Sequence, residues 1–181
     1  MKKNRIILTG EKQVGKSTVC RELLDLLAPK ELFGLRTFRI PGGFALSGWS
    51  GKPIIFARWD MKGHEFENLQ IDLSVFNSAG PGLLNPPSLT AWRVMDELGI
   101  MEQRADVFVK AAQTAWAGPN PAIAVIQKRA LDFWLQQFQK NPCPVYEITL
   151  KNRDAAPGAI AQLLSSKNFP VISHFEFVET E

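Results

Sequence analysis

The stretch that decides the fold is Ile7–Leu27, ILTGEKQVGKSTVCRELLDLL. It joins a short apolar run, a polar loop holding two glycines, and a segment where Val19, Leu23, Leu24 and Leu27 recur at helical spacing. The loop, Gly10-Glu11-Lys12-Gln13-Val14-Gly15-Lys16-Ser17, satisfies G-x-x-x-x-G-K-[ST] at every position. It also has the context that gives this pattern its mechanism, a strand before and a helix after. Glycines let the backbone turn so that successive N–H groups converge on phosphate oxygens. The helix mouth adds unsatisfied donors and a positive dipole end. Lys16 is expected to reach the β- and γ-phosphates, and the Ser17 hydroxyl to ligate Mg²⁺. The nucleotide-binding candidates are therefore Gly10, Glu11, Lys12, Gln13, Val14, Gly15, Lys16, Ser17 and, in the first helical turn, Thr18.

Outward from the loop, Arg5–Thr9 reads as a strand and Lys16–Leu27 as a helix that Pro29 terminates. Gly34–Ala57 alternates apolar pairs with Gly, Pro and Ser, as two or three short strands of a hairpin arm spanning 34–68 would. Leu69–Phe76 alternates again and predicts an extended segment, with NSAGPGLLNPP (77–87) as a loop. Arg93–Asp96 is a weak strand, because a charged residue interrupts it, and Gln103–Ala115 is a helix. Ala122–Gln127 is a continuous apolar run typical of a strand covered on both faces. Leu131–Gln139 predicts a helix, Val145–Leu150 a strand, and Pro157–Ser165 a helix with proline in its first turn. Strands alternating with helices imply an α/β fold. The expectation is a three-layer αβα sandwich, mostly parallel, with the arm as its antiparallel intrusion, on a single domain over 1–181. Ligands of such sheets bind at the carboxyl ends of the strands. The tail VISHFEFVETE reads as an edge strand or an arm.

Bulk properties narrow the function class. With 181 residues, 45% hydrophobic and 22% charged, the chain is of ordinary globular composition. A net charge of +3, scattered along the chain, argues against nucleic acid as a partner. No apolar run nears the ~20 residues of a membrane span. MKKNRIILTG starts basic, but its Ile6–Leu8 run is short for a signal-peptide core. Two cysteines, Cys20 and Cys143, suit a reduced cytoplasmic setting better than a disulfide framework. No protein partner can be inferred. His64 and His174 stand alone, and no spacing resembles a metal cage. The five tryptophans (Trp49, Trp59, Trp92, Trp116, Trp134) are scattered as packing residues would be.

A phosphate loop does not distinguish hydrolases, kinases and switches. A second acidic site at another strand end is needed. VMDELGIMEQ (94–103) offers one, with Asp96 to hold the metal and Glu97 to orient or deprotonate a water. The competing reading is an acidic pair at a helix start, where it would complement the dipole. Arg36, Arg39, Lys128 and Arg129 are candidates for a cation reaching the γ-phosphate, against a default of solvated surface charge. Gln127, at the same strand end as Lys128, is either a phosphate sensor or a polar strand cap.

The ordered set TGEKQVGKST, MDELGIMEQRADVFVKA, AIAVIQKR and YEITLKNRD resembles the small P-loop nucleoside-triphosphatases, the thermophilic and cancer-related NTPase family, over roughly Ile6–Leu164. The resemblance implies that the sandwich is of the P-loop NTPase type, RecA-like or kinase-like, and that it carries out Mg²⁺-dependent hydrolysis of nucleoside 5′-triphosphates with loose base selectivity. By matching position it implies phosphate and metal roles for Gly10, Gly15, Lys16 and Ser17, the Mg²⁺-side acid as Asp96, and the base as Glu97. It places Arg153, in Asn152-Arg153-Asp154, beside the nucleobase or ribose, where a guanidinium plane can stack on any base. The chain departs from the family in the 76–92 linker and in carrying Arg36 and Arg39 where an acidic residue is usual. The expected activity is NTP hydrolysis to diphosphate and phosphate. The rivals are a small-molecule or nucleotide kinase, whose acceptor pocket the arm would form, and a nucleotide-gated binding protein with little turnover.

Overall fold

The computed structural model describes residues 4–62, 65–165 and 174–178. Strand β1 (Arg5–Thr9) is buried at all five positions, because helices cover both of its faces. Ile6 and Leu8 pack on one face and Ile7 on the other, as the two-residue period of a strand requires. Helix α1 (Lys16–Leu27) follows directly, burying Val19, Cys20, Leu23 and Leu24. Next come β2 (Leu32–Ile40), β3 (Gly43–Gly48), β4 (Ile54–Lys62), β5 (Glu65–Ile71) and α2 (Leu73–Leu83). The chain continues through β6 (Trp92–Leu98), α3 (Asp106–Ala117), β7 (Ala122–Ile126), α4 (Leu131–Phe138), β8 (Pro144–Glu147), α5 (Ala156–Ser165) and β9 (Glu176–Val178).

Among the described residues these strands make one sheet, ordered β5-β4-β3-β2-β6-β7-β1-β8-β9. From β2 to β9 all neighbours are parallel, while β2–β3, β3–β4 and β4–β5 are antiparallel. One layer packs α1 and α5 around Ile6, Leu8, Val94, Ile123 and Val125. The opposite layer packs α2, α3 and α4 around Ile7, Met95, Ala124, Phe108 and Trp134. This is the αβα sandwich with an antiparallel extension that the sequence predicts. The arm, however, is rooted more deeply than 34–68 implies. The first half of β2 is itself a parallel strand, with Leu32–Arg36 in register with Trp92–Asp96, and the antiparallel ladder runs on to Ile71.

Two sequence expectations fail. Leu69–Phe76 is not one extended segment, and 77–87 is not a loop: β5 ends at Ile71 and α2 occupies Leu73–Leu83. Asp72 is the cap, accepting from the Ser74 N–H at 2.9 Å. The glycine that argued for a loop serves packing, since a Cβ on Gly80 would stand 2.5 Å from the Phe108 ring. The strand expected at Arg93–Asp96 is present, as the longer central strand β6, despite Arg93. That side chain is 2% exposed and lies 4.9 Å over the Phe33 ring. It donates to the Ala115 carbonyl in the last turn of α3, where the helix dipole favours a cation. Arg5 does the same at the Gly118 carbonyl. The two guanidiniums lie close with little water, so burial and mutual repulsion lower the Arg93 pKa to about 10.

Cys20 and Cys143 are both buried free thiols. Trp116 and Trp134 are core residues. His64, residues 171–173 and residues 179–181 of the tail lie outside the described residues, and the tail's 176–178 pair with β8 as β9. No helix is long and apolar enough to cross a membrane among the described residues.

Candidate active site

Gly10 leaves β1 at φ 143°, and a Cβ there would stand 2.2 Å from the Ile148 carbonyl oxygen. Only glycine fits so close to the chain that follows β8. Gly15 caps α1 at φ 104°, the third positive-φ position of the loop after Gly10 and Gln13 (φ 65°). Between them Glu11, Lys12 and Gln13 are exposed, whereas Val14 packs into the α1-side core and pins the loop. Thr18 is exposed on the first turn of α1.

Lys16 is buried, and its ammonium donates to the Gly10 carbonyl at 3.1 Å and the Glu11 carbonyl at 2.9 Å. Its third acceptor is Glu97 Oε1 at 3.1 Å. An ammonium has three donors, so all are engaged by the chain. Any further acceptor would gain Lys16 only by displacing one of these three, and Glu97 alone among them is a side chain. At the next residue, Ser17 Oγ donates to Asp96 Oδ1 at 2.8 Å.

The acidic pair is placed by β6. Val94 and Asp96 share the α1 face of the strand, so Asp96 falls against Ser17. Strict alternation would then turn Glu97 to the opposite face. Instead the pairing with β7 shifts between Asp96 and Leu98, so one residue of β6 is extra. Bulges re-aim side chains, and here the surplus residue is Glu97, whose carboxylate arrives at Lys16. The Asp96–Glu97 peptide bond is cis. Thr37 Oγ1 donates to the Glu97 carbonyl at 2.8 Å, anchoring the backbone from β2. Gln127 Nε2 makes a long 3.5 Å contact with Glu97 Oε2 from the end of β7.

Burial pushes the Asp96 carboxyl above its ordinary pKa, and Glu97 pushes it further; the Ser17 hydrogen bond and the Arg36 and Arg21 charges act the other way. A cation between Ser17 and Asp96 would restore the charged form. Among the described residues no three His, Cys, Asp or Glu side chains come together as a metal cage. Two hard oxygen donors beside a phosphate loop nevertheless fit Mg²⁺, which keeps several waters and shares its shell with substrate phosphates.

At the rim, exposed Lys128 bridges Glu147 at 2.7 Å and Glu11 at 3.3 Å, and these carboxylates, Glu147 first, raise its pKa. Arg129 Nε reaches Gln127 Oε1 at 3.3 Å. Arg36 lies 5.0 Å over Trp49 on the strand beside Asp96, while Arg39 is exposed further out on β2. Arg153 is a half-exposed side chain whose Cδ would lie 3.7 Å from a Cβ on Gly15, so it flanks the loop's second glycine. Asn152 shapes that segment: it accepts from the Thr149 N–H at 2.8 Å and donates to the Glu147 carbonyl at 2.9 Å.

The structure thus brings Gly10–Ser17, Asp96, Glu97 and Arg153 to one edge of the sheet. Sequence reasoning missed Thr37, whose bond to the Glu97 backbone depends on β2 lying beside β6. It also did not single out Glu102. Glu102 opens a short 3-10 turn, is 1% exposed, and accepts from the Gly99 N–H. Its burial raises its pKa to about 7.

The family model described as NTPase matches residues 5–161. The chain is 28% identical over 166 residues to the nucleoside-triphosphatase THEP1 of Methanosarcina barkeri, covering 87% of this chain and 95% of that one. Among solved structures it resembles THEP1 from Aquifex aeolicus (TM-score 0.72, 24% identity, covering 90% of this chain and 99% of the other). It also resembles a human cancer-related nucleoside triphosphatase (TM-score 0.71, 20% identity, covering 91% and 98%).

Proposed function

Because the chain belongs to the NTPase family, matched over residues 5–161, it is a nucleoside-triphosphatase, and we propose that hydrolysis is Mg²⁺-dependent and runs on the 10–17 loop and the Asp96/Glu97 pair. The observation that carries this reading is the 3.1 Å approach of Glu97 to Lys16, beside the 2.8 Å Ser17–Asp96 contact. A group that binds terminal phosphate and a carboxylate able to hold water meet at one point.

The loop N–H groups and Lys16 hold the phosphates, and the γ-phosphate takes the place of Glu97 on the ammonium. Glu97, released but still anchored through Thr37, holds a water against the γ-phosphorus. The water oxygen bonds to phosphorus as the bond to the β–γ bridging oxygen breaks, and the water's proton passes to the Glu97 carboxylate and on to the phosphate. The products are a nucleoside diphosphate and inorganic phosphate. Ser17 and Asp96 would hold Mg²⁺, which when bound neutralises phosphate charge. Arg153, flanking the loop, would stack on the base and accept purines and pyrimidines alike. We read the chain as one domain working in the cytoplasm, a setting that suits its two free thiols.

Phosphate release from ATP, GTP, CTP and UTP with and without Mg²⁺, in the parent and Glu97→Gln, tests the reading. Glu97→Gln should lower kcat about 10²–10³-fold. It should also bind nucleotide several-fold more tightly, because Lys16 loses a competing anion. Unchanged turnover in Glu97→Gln, or release that requires a small-molecule acceptor, would overturn it.

A further inference from the structure

Behind the acidic pair, the turn after β6 is clamped by groups that never meet substrate. The Gly99 N–H is held by Glu102 Oε1, and the Gly99 carbonyl accepts from Trp134 Nε1 at 3.0 Å. Both clamping side chains are almost fully buried, at 1% and 0% exposure. A carboxylate in such a place lacks the water that would normally solvate it. Among the described residues no ion pair offsets it, so its role is that of an acceptor aimed at one peptide group. Gln127 rests directly on that peptide: a Cβ on Gly99 would collide with its amide, at 2.7 Å from Cδ and Nε2. The Gln127 backbone N–H also bonds the Leu98 carbonyl at 2.9 Å. The same amide faces Glu97 Oε2 at 3.5 Å. Chain connectivity and contact therefore run from Glu102 through Gly99 to Gln127 and then to Glu97.

We propose that Glu102 is a positioning residue for hydrolysis, fixing the Gly99 peptide so that Gln127 holds the Glu97 carboxylate in line for the attacking water. This rests on Glu97 acting on the water, as proposed above. Gln127 thus gains a role beyond a polar strand cap. Its Oε1 is satisfied by Arg129 at 3.3 Å, which leaves Nε2 directed at Glu97. Gly99 is glycine because any side chain would evict that amide.

The test is steady-state Mg²⁺-ATP hydrolysis, with ATPγS affinity measured separately, on Glu102→Ala, Glu102→Gln, Gly99→Ala and Gln127→Ala. Removing the acceptor in Glu102→Ala should lower kcat about 10²-fold, the scale of a 1 Å misplacement, with ATPγS affinity within about twofold of the parent. Glu102→Gln keeps an acceptor oxygen for the Gly99 N–H and should recover to within about fivefold of the parent. Gly99→Ala leaves the buried carboxyl untouched, so it reports on the relay even if Glu102→Ala folds poorly; it should show the same loss of kcat alone. Gln127→Ala combined with Gly99→Ala should cost no more than either change alone. Parental kcat in Gly99→Ala and Glu102→Ala, equal loss of affinity and kcat, or additive effects in the double variant would each overturn the inference. Failure of the hydrolase reading would look different, as a parent protein that releases no phosphate.

Discussion

Replacing Glu102 by Gln should make the protein more stable, and increasingly so as the pH rises. Burial raises the carboxyl from 4.5 to about 7. Between those values the native state holds a proton that the unfolded chain has released, so parent stability falls as pH climbs from about 4.5 through 7 and levels above about 8. The displacement corresponds to about 3 kcal/mol at 1.36 kcal/mol per pH unit. That difference is fully present only above the native-state pKa, where both states are ionised. Urea denaturation of both proteins from pH 5 to 8.5, at constant ionic strength, reads the difference. Other groups that titrate on folding, the raised Asp96 among them, cancel between the two curves. The gap should widen in favour of Glu102→Gln by about 2–3 kcal/mol across the range. Parallel curves, or a gap that closes as pH rises, would refute the reasoning and mean that the Gly99 N–H stabilises the ionised carboxylate fully. A confirmed gap would mean that this buried charge is kept despite a cost in stability, as expected of a residue retained for function.

Gly10→Ala should abolish nucleotide binding and destabilise the fold by about 2–4 kcal/mol, read by isothermal titration and urea melts, since its methyl would meet the Ile148 carbonyl at 2.2 Å. Arg93→Ala should destabilise by about 2–4 kcal/mol through lost packing and an uncapped Ala115 carbonyl, yet leave nucleotide affinity unchanged, because Arg93 stands at the opposite end of β6 from the acidic pair.

Sequence alone determined the parts of this protein that depend on local chemistry. Gly10-x-x-x-x-Gly15-Lys16-Ser17 needs only neighbouring residues to make its turn and helix mouth, so its conformation was legible at once. The five-residue apolar run of β7 likewise declared burial on both faces. Where local and long-range signals disagreed, the sequence misled. Gly80 and Pro81 argued for a loop, but α2 persists because Phe108 on α3 fills the space a side chain would need. Arg93 only weakened the strand rightly expected at 93–96, and β6 forms because the carbonyl end of α3 and the Phe33 ring receive the guanidinium. The acidic pair was visible as residue types, yet its geometry was not. Alternation alone sends Glu97 to the face away from Lys16, and only the register shift against β7 returns it to 3.1 Å. The Thr37 anchor and the Glu102–Gly99–Gln127 contacts join residues far apart in the chain, so no local pattern could reveal them. The chain itself determined the loop that we propose holds a phosphate, and the packing of β2, β6 and β7 decided which carboxylate faces its Lys16.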